Sequence, residues 1–576
     1  SPFIGRVGVE PTQCLHRRIL SPLRLPIPPP PRLQLPYFTI IAAPQARLRY
    51  NSGMQLSPLA WFLSFLPVLV VIALMLGLRL SGARASLAAW LSAVLISLLA
   101  FGGTWQLLAW AQLKALWMAL DVLYIVWGAL LLYHLVQEAG AIQALSARLP
   151  AISADRGLQV LLVSWLMVSF LQGMGGFGVP MAVCAPILVG MGYPPVTAVV
   201  MTALGHAWAV NFGSMSTAFT SLLVVTGLPG ALLAPFSALL LGLAILPAGA
   251  LVTLVGTGWK GLRRSFPALL VISLVMASGQ YLLAVNGLWP LAATGSAVLG
   301  ILTLLLLTRL PRYRKAEAPA PLPANKPAGQ DGFWWRVSPY LLLMLIGFAV
   351  VLIKPLNAFL SQANLQPKFP ELSTALGWVS PAEVGRPFHF FSHPGSILLY
   401  TCLISAGIYA SKGLLSPGAP ARILGAVRAS AGDVTLGVIA MVGVAAVMTA
   451  SGMTNLLARG LSQSIPRAVY PAVAPFIGAL GAFLTGSNNN SNVLFGVLQM
   501  DTARLLGLNV PLILAAQTAG GSLGSVLSPA KVIVGCSTVG LTNQEALVMR
   551  KLVPMELIPV GVVALAALLI SALPGG

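Results

Sequence analysis

The stretch PLAWFLSFLPVLVVIALMLGL, residues 58–78, runs for 21 positions without a charged side chain. About 20 such residues are what an α-helix needs to cross roughly 30 Å of hydrocarbon. Apolar runs recur near 86–101, 115–137, 196–228, 232–256, 266–286, 287–308, 337–356, 394–411, 433–450, 509–540 and 553–573. Only 8% of the 576 residues are charged, against about 25% in a soluble globule. Such a chain cannot cover itself with a water-compatible surface. It is expected to be an all-α polytopic membrane protein.

The net charge of +21 would point to nucleic acid in a soluble protein. Here the basic residues cluster between apolar runs, at Arg79/Arg84, Arg148/Arg156, Lys260–Arg264, Arg309–Lys315, Lys412–Arg428 and Arg550/Lys551. Basic residues are retained in cytoplasmic loops, so no nucleic-acid partner is expected. Placing all six clusters in the cytoplasm closes the topology on one condition: 157–193 and 470–502 must each enter the membrane and leave on the same side. They become re-entrant hairpins, the first from the cytoplasm and the second from outside, among about twelve transmembrane helices. Arg459 and Arg467 fall on the outer side of this scheme.

Four regions follow. Residues 1–53 are proline-rich and basic and lack an initiating methionine, while Met54 opens the first apolar run. They are expected to be a disordered or misassigned N-terminal extension. Residues 54–308 form the first half of the membrane domain, 309–336 a cytoplasmic linker, and 337–576 the second half. The halves echo each other: SFLQGMGGFG (169–178) aligns with AFLTGSNNNS (482–491), and NFGSMST (211–217) with SLGSVLS (522–528), at offsets of 313 and 311 residues. A hairpin followed by an interrupted helix, 196–228 and then 509–540, occurs twice in opposite orientation. That is the plan of secondary transporters built from inverted repeats, whose substrate site lies between broken helices.

Non-helical backbone survives at membrane depth only when buried in protein or lining a cavity. The polar cluster Ser487–Asn492 is therefore read as a hairpin tip offering Ser487, Asn488, Asn489, Asn490 and Ser491 to a site, with an ordinary aqueous loop as the alternative. In 515–540, Gly520, Gly521, Ser522, Gly524 and Ser525 interrupt an apolar run, and Ser528–Pro529 has the N-cap and N1 pattern of a helix restart. A restarted helix would aim free N–H groups at an anion, and Lys531 follows in its first turn. A substrate carboxylate would partner Lys531; an internal acid or snorkelling would satisfy it too. The opposing break offers Asn211, Gly213, Ser214, Ser216 and Thr217. The first hairpin tip offers the backbone of Gly175, Gly176, Phe177 and Gly178, although glycines also serve close helix packing.

Proton coupling requires a titratable group inside the bilayer. His206, beside the first break, leads; Asp121 is the second candidate, or else merely interfacial. His389 and His393 in HFFSH have metal-ligand spacing without a third ligand and are assigned to an exterior loop. Cys14, Cys184, Cys402 and Cys536 are scattered, so no metal site or cofactor is expected. An enzyme would need a nucleophile–base pair, for which only His206 with Ser214 or Ser216 could be drawn. No GxxxxGK[ST] loop suggests an ATP-driven pump.

GMGGFGVPMAVCAPILVGMGY (173–193), the NFG-containing broken helix, APFIGALGAFLTGSNNNSNVLFGVLQ (474–499) and QTAGGSLGSVLSPAKVIVGCSTVGL (517–541) together resemble the bacterial lactate permease family. The resemblance implies an ion-transporter-type fold and proton-coupled uptake of lactate or glycolate through the inner membrane. It also marks departures: Gln172 stands where the family usually has glutamate, and Lys531 where an asparagine is expected. Lys531 would then supply a fixed positive charge otherwise brought by a bound cation or proton. Carriage of a di- or tricarboxylate, coupled to sodium or protons, is the alternative on the same scaffold; a membrane-embedded hydrolase is a distant one.

Overall fold

The computed structural model describes residues 57–573, apart from 77, 79, 142, 145–151, 154, 176–178, 315–331, 386 and 542–543. The expectation for 1–53, and most of that for the linker, lies outside the described residues. Among the described residues, ten helices are long and apolar enough to cross a membrane, or eleven if a bent pair counts as one span. One of them, Arg156–Met174, belongs to the segment expected as a re-entrant hairpin, so nine or ten stand against the expected twelve or so. One reason is Gly230–Val285, a continuous 56-residue element where two spans are expected. A straight helix of that length would measure about 84 Å, so it must turn. Gly258 does so, at φ 68° and ψ −174°, a backbone region open essentially to glycine alone.

Residues 156–190 and 470–505 each fold as a helix pair. The first comprises Arg156–Leu161, a π-helical turn Leu162–Met167, Val168–Gly175 and then Val179–Gly190. The second comprises Tyr470–Thr485 and Asn488–Leu505, joined through left-handed Gly486 at φ 76°. Its arms are antiparallel: Tyr470 donates to the Gln499 side chain (2.7 Å), and Ser491 to the Gly478 carbonyl (2.8 Å). The 12-residue Val179–Gly190 and the 16-residue Tyr470–Thr485 rise only about 18 and 24 Å, short of the hydrocarbon core.

Each pair is followed by an interrupted helix. Pro195–His206 passes through a 3₁₀ turn at Ala207–Ala209 into Gly213–Thr226, with a bend of 52°. Val510–Gly524 passes through Ser525–Leu527 and extended Ser528 (ψ 130°) into Pro529–Thr538. The second interruption therefore lies at Ser528. Gly520, Gly521 and Gly524, expected as the break, are helical, and their role is close packing. A Cβ on Gly520 would fall 1.8 Å from the Pro475 carbonyl oxygen, and one on Gly478 2.0 Å from that of Gln517. The first half repeats the contact: a Cβ on Gly205 would meet the Ser164 carbonyl, on the π-helical turn, at 1.7 Å.

The expected exterior loop before Pro394 holds an unforeseen feature, a ribbon of three two-residue antiparallel ladders. They pair Asn364–Leu365 with Phe388–His389, Lys368–Phe369 with Glu383–Val384, and Leu372–Ser373 with Val379–Ser380. An ion pair from Lys114 to Glu383 pins it to the helix Trp105–Glu138.

Backbone-to-backbone contact at Gly520 leaves no room for a side chain. Gly520→Val should destabilise the protein by about 1–3 kcal/mol or more, lowering its thermal midpoint in detergent by several degrees. An unchanged midpoint would contradict this packing.

Candidate functional site

Ser214, Met215 and Ser216 have φ values of 47°, 55° and 63°. Left-handed backbone costs L-residues roughly 1–2 kcal/mol each, and such strain persists where the surroundings over-determine it, characteristically at functional sites. Here the Ser216 hydroxyl donates to the Trp289 carbonyl, and Gly213 lies against the Gln172 backbone, where a Cβ would come within 2.8 Å of its carbonyl oxygen.

The second interrupted helix crosses the first at the first helix's break. Ser522 Oγ donates to the Ala207 carbonyl (2.8 Å) and accepts from the Asn211 N–H (3.0 Å). Thr518 Oγ1 donates to Asn211 Oδ1 (2.5 Å) and accepts from Asn492 Nδ2 (2.7 Å). Asn492 Nδ2 also donates to the Ala218 carbonyl (2.9 Å). Asn488 Nδ2 reaches the Thr518 carbonyl (3.3 Å), and Gln517 Nε2 the Ser491 hydroxyl (3.1 Å). These side chains are all buried. One hydrogen-bonded knot thus joins the first break, the second interrupted helix and the tip of the second helix pair.

Next to the knot is a chamber of about 530 Å³. Its wall takes Gln172 from the first helix pair, Ser214 and Thr217 from the first break, and Gly486, Ser487, Asn488, Asn489 and Asn490 from the second pair. Lys531 contributes from the restarted helix, and Ser81–Ala83 and Asp433 from two further helices. Ser487 caps the helix Asn488–Leu505 by accepting from the Asn489 N–H (3.2 Å). The positive end of that helix therefore faces the chamber, an arrangement suited to an anion. Half-buried Lys531 donates to Ser525 Oγ at 3.1 Å; among the described residues no carboxylate lies within ion-pair distance of it.

The sequence-derived site residues fall into two overlapping sets, with Asn488 in both. Ser214, Ser487, Asn488, Asn489, Asn490 and Lys531 reach the chamber wall. Asn211, Ser491 and Ser522 instead tie the knot, Ser216 braces the first break, and Ser525 holds Lys531. Gly213 packs on Gln172, and Gly524 on Ala479. Ser528 stands at the N-cap position as expected, but its hydroxyl forms no cap bond and has no hydrogen-bond partner among the described residues. Gly175 ends its helix; Gly176, Phe177 and Gly178 lie outside the described residues.

His206 is fully buried and shares a 2.7 Å hydrogen bond between Nδ1 and the Thr202 carbonyl. It has no hydrogen bond to Ser214 or Ser216, so the Ser–His pair is not formed. Asp121 is away from the chamber, paired with His393 Nε2 at 2.8 Å, in a second cavity of about 440 Å³ beneath the ribbon. Asp433, which the sequence puts near a span end, is a wall residue; its signal is a lone acid in the run ASAGDVTLG.

The Thr518 hydroxyl is the centre of the knot. Thr518→Val leaves Asn211 and Asn492 short of a partner and should cost about 1–3 kcal/mol, seen as a lower thermal midpoint, while Thr518→Ser should retain most of the stability. Equal midpoints for the two variants would contradict this role.

A multi-pass helical protein in which two interrupted helices and a helix-pair tip enclose a polar chamber is built as a membrane transporter. The family model described as L-lactate permease matches residues 60–573, and the chain belongs to that family. The glycolate permease GlcA of Escherichia coli (strain K12) is 27% identical, over 90% of this chain and 96% of that protein. The L-lactate permease of Bacillus subtilis (strain 168) is 26% identical, over 81% and 88%. The L-lactate permease of Escherichia coli (strain K12) is also 26% identical, over 76% and 82%.

Proposed function

We propose that this protein is a secondary active transporter that imports a small monocarboxylate, lactate or glycolate, with protons across the bacterial inner membrane. The observation that carries this reading is the chamber wall, where an amine with no carboxylate partner among the described residues and a capped helix N-terminus meet. Ser487–Asn490 and Lys531 would hold the carboxylate, and Ser214 and Thr217 would contact the rest of a short substrate. The permease relatives, named for lactate and glycolate, support the substrate class. His206 and Asp121 are the groups through which the sequence reading routes the proton.

Among the described residues, the wall carries one cation, Lys531, and one acid, Asp433. That balance favours one carboxylate over two or three, and so a monocarboxylate over the di- or tricarboxylate alternative. The chamber wall includes Ser81–Ala83 and Asp433, near the basic residues Arg84 and Arg428. By the positive-inside rule it opens toward the cytoplasm, with both helix pairs read as re-entrant hairpins.

Counterflow of labelled lactate and glycolate in proteoliposomes, against unlabelled mono- and dicarboxylates, tests this. Monocarboxylates should exchange and dicarboxylates should not; the reverse preference would refute the reading. A charge-assisted hydrogen bond contributes about 1.5–3 kcal/mol, so Lys531→Gln should weaken exchange at least roughly tenfold. Wild-type exchange in K531Q would remove Lys531 from the site.

A further inference from the structure

Glu556 lies on the span Glu545–Ala572 and is 0% exposed. Among the described residues neither of its carboxylate oxygens has a hydrogen-bond partner, and it forms no ion pair. Its span packs against Pro195–His206 and Val510–Gly524 of the two interrupted helices, the restart Pro529–Thr538, the hairpin arm Tyr470–Thr485, and Gly230–Val285. These elements carry His206, Lys531, Cys536, Tyr470, Tyr281 and the basic cluster Lys260–Arg264. His206 is bonded to Thr202, Lys531 to Ser525, Tyr470 to Gln499 and Arg264 to Asp155. None supplies Glu556 with a hydrogen bond or counter-charge.

An ionised carboxylate without donor or counter-charge is not tolerated in a dry interior. In this conformation Glu556 is therefore the neutral acid, holding a proton. Two further features bear on how water could reach it. It lies five residues beyond Lys551, about 7–8 Å along the helix axis, from the exposed pair Arg550 and Lys551. Pro554 and Pro559 bracket it, and each removes an i→i−4 hydrogen bond and loosens the helix locally.

Resting on the proton-coupled reading above, we infer that Glu556 is a binding site for the coupled proton. It is loaded and buried in the conformation seen here, and it releases the proton when the proline-bracketed segment bends and admits water. The step is a simple exchange: the carboxyl O–H passes its proton to water and leaves a carboxylate, which must be reprotonated before the segment packs again. Loading is thereby linked to the elements that build the substrate chamber.

The test is accumulation of labelled substrate in proteoliposomes under an inward proton gradient, with a sodium gradient as control. One pH unit sustains up to about tenfold accumulation by one-proton symport. Wild type should approach that ratio, whereas Glu556→Gln should stay near unity while still exchanging labelled for unlabelled substrate. Glu556→Asp, which keeps an acid, should accumulate above unity. A Glu556→Gln protein that accumulates like wild type overturns the inference. If wild type accumulates only under sodium, the proton reading itself fails, and Glu556 as carrier with it. Should Glu556→Gln neither exchange nor accumulate, the infrared spectrum decides. Wild type at neutral pH should show a protonated-carboxyl stretch that Glu556→Asp shifts and Glu556→Gln lacks, and absence of that band in wild type overturns the inference.

Discussion

The Thr518 hydroxyl links Asn211 on one interrupted helix to Asn492 at the tip of the second helix pair, and the arrangement of the chamber depends on that link. Inside hydrocarbon no water satisfies a broken backbone, so interruptions must be satisfied by protein groups or border an aqueous cavity. Both solutions operate here. On one side the first break is closed by Ser522 and Thr518 of the second interrupted helix, which bond to the Ala207 carbonyl and to Asn211. On the other, Ser214, Asn488–Asn490 and Lys531 are left to face the chamber. The polar residues of the segments around the breaks thus include some that hold the scaffold and others that line the chamber, and Asn488 does both.

The second constraint is close packing. Gly205 against Ser164 and Gly520 against Pro475 bring backbones together with no space for a methyl group. Association of helices in lipid depends on such contact between small residues. In both halves it seats an interrupted helix on the first arm of the preceding pair, which fixes where each break lies relative to each tip. Lys531 benefits from this placement. Its only described hydrogen bond is to a neutral hydroxyl on its own segment, so its charge is available to the chamber.

Much of this was legible in the sequence because lipid imposes simple rules. Apolar length gave the spans, and PGSILLYTCLISAGIYAS matched its helix, Pro394–Ser411, at both ends. The polar run at 487–492 and the Ser–Pro at 528–529 marked a helix-pair turn and a helix restart because such patterns have few uses in an apolar chain. Other features were opaque for physical reasons. Glycine signals either a break or a close contact, and spacing alone does not distinguish them; Gly520–Gly524 proved to be contact. The division of Ser491 and Asn492 from Asn489 and Asn490 depends on helical phase within one turn. The ribbon at 364–389 is built from ladders two residues long, too short for strand periodicity. Glu556 is marked in the sequence only as one acid near the start of an apolar run, whereas lateral packing buries it completely.

The most direct measurement of the central claim, that the chamber receives the carboxylate, is substrate protection of a cysteine placed in its wall. The described native cysteines Cys184, Cys402 and Cys536 are buried, which favours selective labelling of Asn489→Cys by a membrane-impermeant thiol reagent in inside-out vesicles. Lactate or glycolate should slow that labelling in a saturable manner, and a dicarboxylate should not. Labelling at the same rate with and without saturating monocarboxylate would contradict the account.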